Sequence, residues 1–163
     1  MERLTAAEGR FSVVVDIETS TDGVPAVLAG ERVTMVAVGT VPAVVDLGHL
    51  TADVITVDGD QVTVRLPAPT LGDVVIDHDK TRVTGRERGL LTRLGDAVES
   101  QPVDDQQLYV HAANQITDAA QASDLLDQAR TSTTTTLTGL IEQLGYGQVT
   151  VEFNQPTTAQ RPL

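Results

Sequence analysis

Histidine and the carboxylic acids are the side chains of this sequence that could carry chemistry, because cysteine is absent. None of the three histidines stands in a metal-binding spacing such as HExxH. His78 lies between two aspartates, so carboxylate oxygens near it could form a weak site for a hard cation. The candidate ligands of that site are Asp73, Asp77, His78 and Asp79. An ordinary solvated turn is the competing interpretation, and we prefer it because aspartate favours turns.

The sequence contains no catalytic residue that a motif identifies and no cofactor-binding motif. No serine occupies GxSxG or SxxK, and the glycine-rich segments 29–31 and 85–89 lack a phosphate-binding pattern. Asp58-Gly59-Asp60 resembles the start of a calcium loop, but Pro69 stands where that loop requires a glutamate. We therefore expect no enzyme and no cofactor. The alternative is a hydrolase or metal-assisted enzyme built from dispersed Asp, Glu and His, since such residues can meet in space.

The charge of the chain restricts its partners. The 163 residues carry 23 acidic against 11 basic side chains, a formal net charge of −12. Nucleic-acid affinity depends on neutralising phosphates with Lys and Arg, so we expect no nucleic-acid binding. The apolar runs are far shorter than the roughly 20 residues of a membrane helix. We therefore expect membrane attachment only through an anchor that this chain lacks.

The first half of the sequence predicts a mostly antiparallel β-sheet. Residues 11–18 alternate apolar and polar side chains, as a half-buried strand does. Residues 32–47 are β-branched and apolar but contain Gly39 and Pro42, which indicates two strands or one bulged strand. The clearest signal is a β-hairpin over 54–66, in which two alternating runs flank Asp58-Gly59. Segments 71–76 and 81–84 predict a further pair of strands around the turn 77–80.

After Gly85 the apolar spacing becomes helical. It predicts helices over about 86–99, 105–122 and 124–144, packed on the sheet, with Ser123 separating the last two or bending a single helix. Gly145 ends the last helix. Alternation returns at 148–153, which predicts a final strand. The fold class is therefore α+β, with one domain over 1–153 and a disordered tail over 154–163.

Several segments, taken in order, resemble a bacterial family of domains of unknown function numbered 4230. They are FSVVVDIE (11–18), LAGER (28–32), VVDLGHL (44–50), VTVRLPAP (62–69), ERGLLTRLGD (87–96), the run 104–129 and LTGLIEQLGYGQVTVEF (137–153). The resemblance implies an actinobacterial envelope protein in which one N-terminal membrane helix precedes this domain. It brings no activity and no catalytic residue. This chain departs from the family pattern by lacking the anchor and by having aliphatic residues at Val33, Val44 and Leu47, where aromatic residues are expected.

Together these features favour a non-enzymatic domain of a membrane-anchored envelope protein that acts through protein contacts or self-association. Its expected working surface is a sheet edge or the helical pair. The location is extracytoplasmic if an N-terminal anchor precedes the chain, and cytoplasmic otherwise. A second alternative is an oligomeric membrane scaffold similar to the stomatin or band-7 proteins, in which a β-rich module precedes long helices.

Overall fold

The computed structural model describes residues 3–20, 30–48, 54–88 and 104–154. Within them the fold is α+β, with strands first and two helices near the C-terminus, which confirms the predicted fold class. The elements in chain order are β1 (Arg3–Ser20), β2 (Gly30–Asp46), β3 (Ile55–Asp58), β4 (Gln61–Pro67), β5 (Thr70–Leu71), β6 (Val75–Ile76), β7 (Arg82–Arg88), α1 (Asp105–Gln121), α2 (Leu125–Gln143) and β8 (Gln148–Asn154).

The described residues form two compact units, each assembled from separate stretches of the chain. The first unit comprises residues 3–9, 42–48, 54–73 and 121–154. The second comprises residues 10–20, 30–41, 74–88 and 104–120. Strands β1 and β2 contribute residues to both units, so each unit combines the start of the chain with segments that follow much later.

The long strands β1 and β2 form because their apolar residues recur at every second position. Phe11, Val13, Val15 and Ile17 are buried or half-buried while their neighbours are exposed, as the period-two pattern predicted. Of the two interpretations of residues 32–47, two strands or one bulged strand, the structure has the second, because β2 is continuous from Gly30 to Asp46. Its register against β7 shifts between Thr34 and Met35. The irregularity therefore lies away from the predicted positions, Gly39 and Pro42.

Strands β5, β6 and β7 all pair antiparallel with β2, which differs from the predicted pairing of 71–76 with 81–84. Ile76 pairs with Gly39 and Arg82 pairs with Val36, so the five residues 77–81 lie opposite only the two residues 37–38. The turn at residues 78–80 lies within this excursion. In this region a side chain takes the place of a backbone partner: Thr81 Oγ1 accepts a hydrogen bond from the Val38 N–H at 3.1 Å.

Both predicted C-terminal helices are confirmed, and residues 122–124 separate them. Asp104 Oδ1 accepts the N–H of Gln106 at 3.1 Å and so caps α1. Gly145 follows α2 with a φ of +100°, a left-handed conformation that glycine adopts without strain. In α2, Thr133 is buried and its hydroxyl donates to the Ala129 carbonyl at 2.8 Å, which satisfies its polar group inside the helix.

The predicted helix over 86–99 requires a correction at its start. Residues 86–88 belong to β7, where they pair with residues 31–33 of β2. The charged sequence of this segment is compatible with a helix, but strand pairing determines its conformation. Residues 89–99 lie outside the described part of the chain, as do residues 155–163 of the predicted tail. Asn154, also predicted in the tail, is the last residue of β8.

Each helix packs on strands within its own unit. In the first unit, Leu137 and Ile141 of α2 pack against a buried cluster formed by Val45, Val62, Val64 and Leu66. In the second unit, a Cβ at Gly39 would lie 2.9 Å from Ile116 Cδ1 of α1, so the missing side chain permits close approach of α1 to β2. Among the described residues, neither helix is long and apolar enough to cross a membrane.

Candidate functional site: the outer edge of strand β3

The hairpin of the first unit turns over Gly59 and Asp60. Asp58 pairs with Gln61, which leaves two residues in the loop. Gly59 has a φ of +59° and Asp60 does not have a positive φ, the pattern of a type II′ turn with glycine at its first central position. Asp58 is therefore the last strand residue, whereas the sequence predicted it in the turn. The hairpin prediction itself is confirmed.

Strand β3 places two β-branched side chains at the margin of an apolar sheet face. Ile55 pairs with Val64, and Val57 pairs with Val62. Directly opposed residues of an antiparallel pair point to the same face, so all four side chains share one face. Val62 and Val64 are buried, whereas Ile55 and Val57 are 56% and 52% exposed. The apolar face thus extends past the part that the rest of the first unit covers.

The backbone of β3 offers hydrogen-bonding groups at its outer edge. The Gln148 N–H of β8 donates to the Asp60 carbonyl at 3.2 Å, just before β4 begins. The even-numbered residues of β4 therefore direct their backbone groups towards β8. By alternation, Gln61 and Thr63 direct theirs towards β3, where they bond Asp58 and Thr56. Strand β8 pairs in parallel with β4 on the side away from β3, so the N–H and C=O groups of Ile55 and Val57 lie on the outer side of β3. Among the described strands, only β4 pairs with β3.

Strands β1, β7 and β8 carry more protection than β3 does, and the other two edge strands, β5 and β6, are only two residues long. Native proteins protect sheet edges with charged and polar side chains, because an unprotected edge can accept another strand. Strand β8 has only polar side chains at its exposed positions, Gln148, Thr150, Glu152 and Asn154. Strands β1 and β7 each carry several charges along their length. Strand β3 carries one charge, at Asp58, and exposes all four of its residues. Its edge is therefore the best-suited docking position among the described strands.

The four predicted cation ligands are not gathered into a metal site by the described residues. Asp73 belongs to the first unit and the other three to the second. No group of three or more His, Asp or Glu that could hold a metal ion occurs in residues 3–20, 30–48, 54–88 and 104–154. Asp77 instead binds Lys80, whose Nζ lies 2.8 Å from Asp77 Oδ2. This hydrogen bond from the ammonium group lowers the pKa of Asp77.

His78 and Asp79 occupy the same turn as Asp77. The His78 ring lies 5.3 Å from the ring of Tyr109 on α1, at an interplanar angle of 58°. Asp79 is exposed. The lysine three residues after Asp77 is a signal that was available in the sequence, because it supplies a cation for that carboxylate without any metal.

Ile55 and Val57 are the residues that sequence reasoning missed as part of a site. The alternating pattern of 54–66 predicted that they lie on the apolar face of a hairpin, and it therefore favoured burial. They are exposed because helix α2, which packs on this sheet, does not extend over them. Helix α2 contacts β8 and the core cluster, and neither Ile55 nor Val57 belongs to that cluster.

The described residues thus form an α+β fold in which β3 is an edge strand of the three-stranded sheet β3-β4-β8. Comparison with protein families gives a match over residues 1–151 to the model described as protein of unknown function (DUF4230). The chain belongs to that family. The comparisons with curated proteins and with solved structures each gave no match.

Proposed function

We propose that this chain is a non-enzymatic protein-binding domain of a bacterial envelope protein, and that it binds through the outer edge of β3. One observation carries the proposal: the outward backbone groups of Ile55 and Val57 are not paired by any strand that the structure describes, and the same two residues have half-exposed apolar side chains. A strand added there would gain main-chain hydrogen bonds and cover apolar surface in the same step.

The extracytoplasmic location rests on the resemblance to membrane-anchored envelope proteins, and the composition is compatible with it. A chain without cysteine is indifferent to oxidation, and a net charge of −12 favours solubility. Protease added to intact cells and to spheroplasts of the source bacterium tests this location. Digestion in spheroplasts is expected, and protection until the membrane is dissolved would contradict it.

Site-specific cross-linking in cells tests the binding edge. A photoreactive phenylalanine analogue replaces Val57 in one variant and Val14 in the control. Val14 is a suitable control because it is a strand valine with 62% exposure. We expect a discrete cross-linked protein product from position 57 that position 14 does not give. Equal products from both positions, or none from position 57, would contradict a binding role for β3.

A further inference from the structure

The chemistry of the β3 edge indicates what kind of strand fits it. Ile55 and Val57 point to one face of the sheet, and Thr56 and Asp58 point to the other. A strand that bonds the outward backbone groups must place its own side chains in the same alternation. Apolar residues would then lie beside Ile55 and Val57, and polar residues would lie beside Thr56 and Asp58.

Asp58 in β3 and the charge of the described part of the first unit select the sign of those polar residues. In the described part of the first unit the arginines are Arg3, Arg65 and Arg130, and two of these already pair with acids, at Glu152 and Asp127. The carboxylates outnumber them nine to three, and they are Glu8, Asp46, Asp58, Asp60, Asp73, Asp124, Asp127, Glu142 and Glu152. A basic segment is attracted to this surface, and an acidic one is repelled.

The same charge disfavours a second copy of the chain as the occupant. Each copy has a formal net charge of −12, so pairing two β3 edges brings together two strongly acidic proteins. Pairing of two copies also places Asp58 of each copy at the new junction, with no basic side chain in β3 to compensate it.

We infer that the β3 edge binds an extended segment of another protein in which apolar residues alternate with arginine or lysine. This inference rests on the proposed function and specifies the partner for the same edge. The segment adds as a strand beside β3, with its apolar residues against Ile55 and Val57. Its basic residues lie on the face that carries Asp58.

Fluorescence anisotropy with labelled octapeptides tests the inference on the whole chain. One peptide alternates arginine with valine, a second alternates glutamate with valine, and a third contains arginine and valine in two blocks. We expect the first to bind about tenfold more tightly than either of the others, because only it combines alternation with basic charge. Equal binding of the block peptide would overturn the inference, because it would show attraction without strand addition.

Two variants with the same change in charge locate the binding. Val57→Lys places a charge on the edge, and Val14→Lys places the same charge on an exposed strand position of the second unit. We expect Val57→Lys to weaken the arginine–valine peptide by about tenfold and Val14→Lys to leave it nearly unchanged. A similar loss in both variants would overturn the inference.

The outcomes separate this inference from the proposed function. Equal binding of the glutamate–valine peptide, lost in Val57→Lys, would support a binding edge and overturn the basic partner. A concentration-dependent dimer in light scattering that Val57→Lys abolishes would overturn it in favour of a second copy. Failure of every peptide, together with a cross-linked product from position 57, would also overturn the inference but leave the edge as a binding surface.

Discussion

Arg86 joins two carboxylates of very different exposure in the second unit. Its Nη1 lies 3.4 Å from Glu31 Oε1, and the Glu31 side chain is only 4% exposed. Its Nη2 lies 3.2 Å from Asp105 Oδ1, whose side chain is 75% exposed. A carboxylate removed from water requires compensation by charge and hydrogen bonds. Through Arg86, strand β7 therefore holds both β2 and the first turn of α1.

Replacing Arg86 by glutamine should lower the free energy of unfolding by roughly 1–3 kcal/mol, because the buried Glu31 carboxylate loses a cation. Urea unfolding measures the change. Arg82→Gln is the matched control, since Arg82 is an exposed arginine on the same strand. It should change stability by less than about 0.5 kcal/mol. Equal losses in the two variants would show that Arg86 acts only through general charge.

The turn at 77–80 provides a second residue-scale prediction. The hydrogen bond from Lys80 lowers the pKa of Asp77 below the usual value of 3.8. A lowered pKa in the folded state means that ionised Asp77 stabilises the fold above pH 3.8, and that this contribution is lost as the pH falls through the folded value. Lys80→Met should therefore raise the pKa of Asp77 towards its usual value.

NMR titration of the Asp77 carboxyl carbon measures this shift. Lys80→Arg serves as the control, because it keeps a cation three residues after Asp77 and should keep the pKa low. An unchanged pKa in Lys80→Met would show that Lys80 is not its cause.

At the scale of elements, alternate residues of β3 direct their backbone groups either towards β4 or towards the outer edge. Thr56 pairs with Thr63 and bonds β4, whereas the N–H of Val57 lies on the outer edge. Thr56→Pro removes a ladder hydrogen bond and Val57→Pro does not. Thr56→Pro should therefore cost about 1–3 kcal/mol more in free energy of unfolding, measured in urea. Equal costs would contradict this assignment, and a larger cost for Val57→Pro would place the hairpin bonds in the opposite phase.

The sequence predicted those elements that depend on local pattern. The hairpin followed from alternation around Asp58-Gly59, and α1 and α2 followed from helical spacing and the break near Ser123. Each of these features lies within a few residues of the signal that predicts it. The exact turn positions did not follow, because the two loop residues are set by the register between Asp58 and Gln61.

Elements that depend on distant partners were predicted less well. Residues 86–88 read as the start of a helix, but their pairing with residues 31–33 makes them a strand. Val75 and Ile76 were predicted to pair with residues 81–84, which is wrong. Both segments pair with β2 instead, because β2 is long enough to accept both along the same edge. The exposure of Val57 likewise depends on how far α2 reaches over the sheet, which no local pattern encodes.

At the scale of the whole molecule, tyrosine fluorescence can follow the unfolding of each unit separately. The chain has two tyrosines and no tryptophan. Tyr146 packs against the core cluster of the first unit, and Tyr109 contacts His78 in the second. The variants Tyr109→Phe and Tyr146→Phe each leave one tyrosine, so fluorescence in urea follows one unit at a time.

We expect coincident unfolding midpoints in these two variants, in agreement with the single domain predicted for residues 1–153. The physical reason is that β1 and β2 each contribute residues to both units. Unfolding of one unit therefore disrupts strands that belong to the other. The intact chain, followed by circular dichroism, is the reference. Two separated midpoints would identify the units as independently folding bodies.

The parallel pairing of β8 with β4 has a consequence for synthesis. Arg65 and Glu152 form an ion pair across these strands although 87 residues separate them. At about 5–20 residues per second, a ribosome needs roughly 4–17 seconds to translate that interval. During this time the nascent hairpin exposes an edge on β4 as well as the one on β3. Newly made chains must therefore avoid joining one another at β4 until the C-terminal strand arrives, and their shared negative charge opposes such encounters.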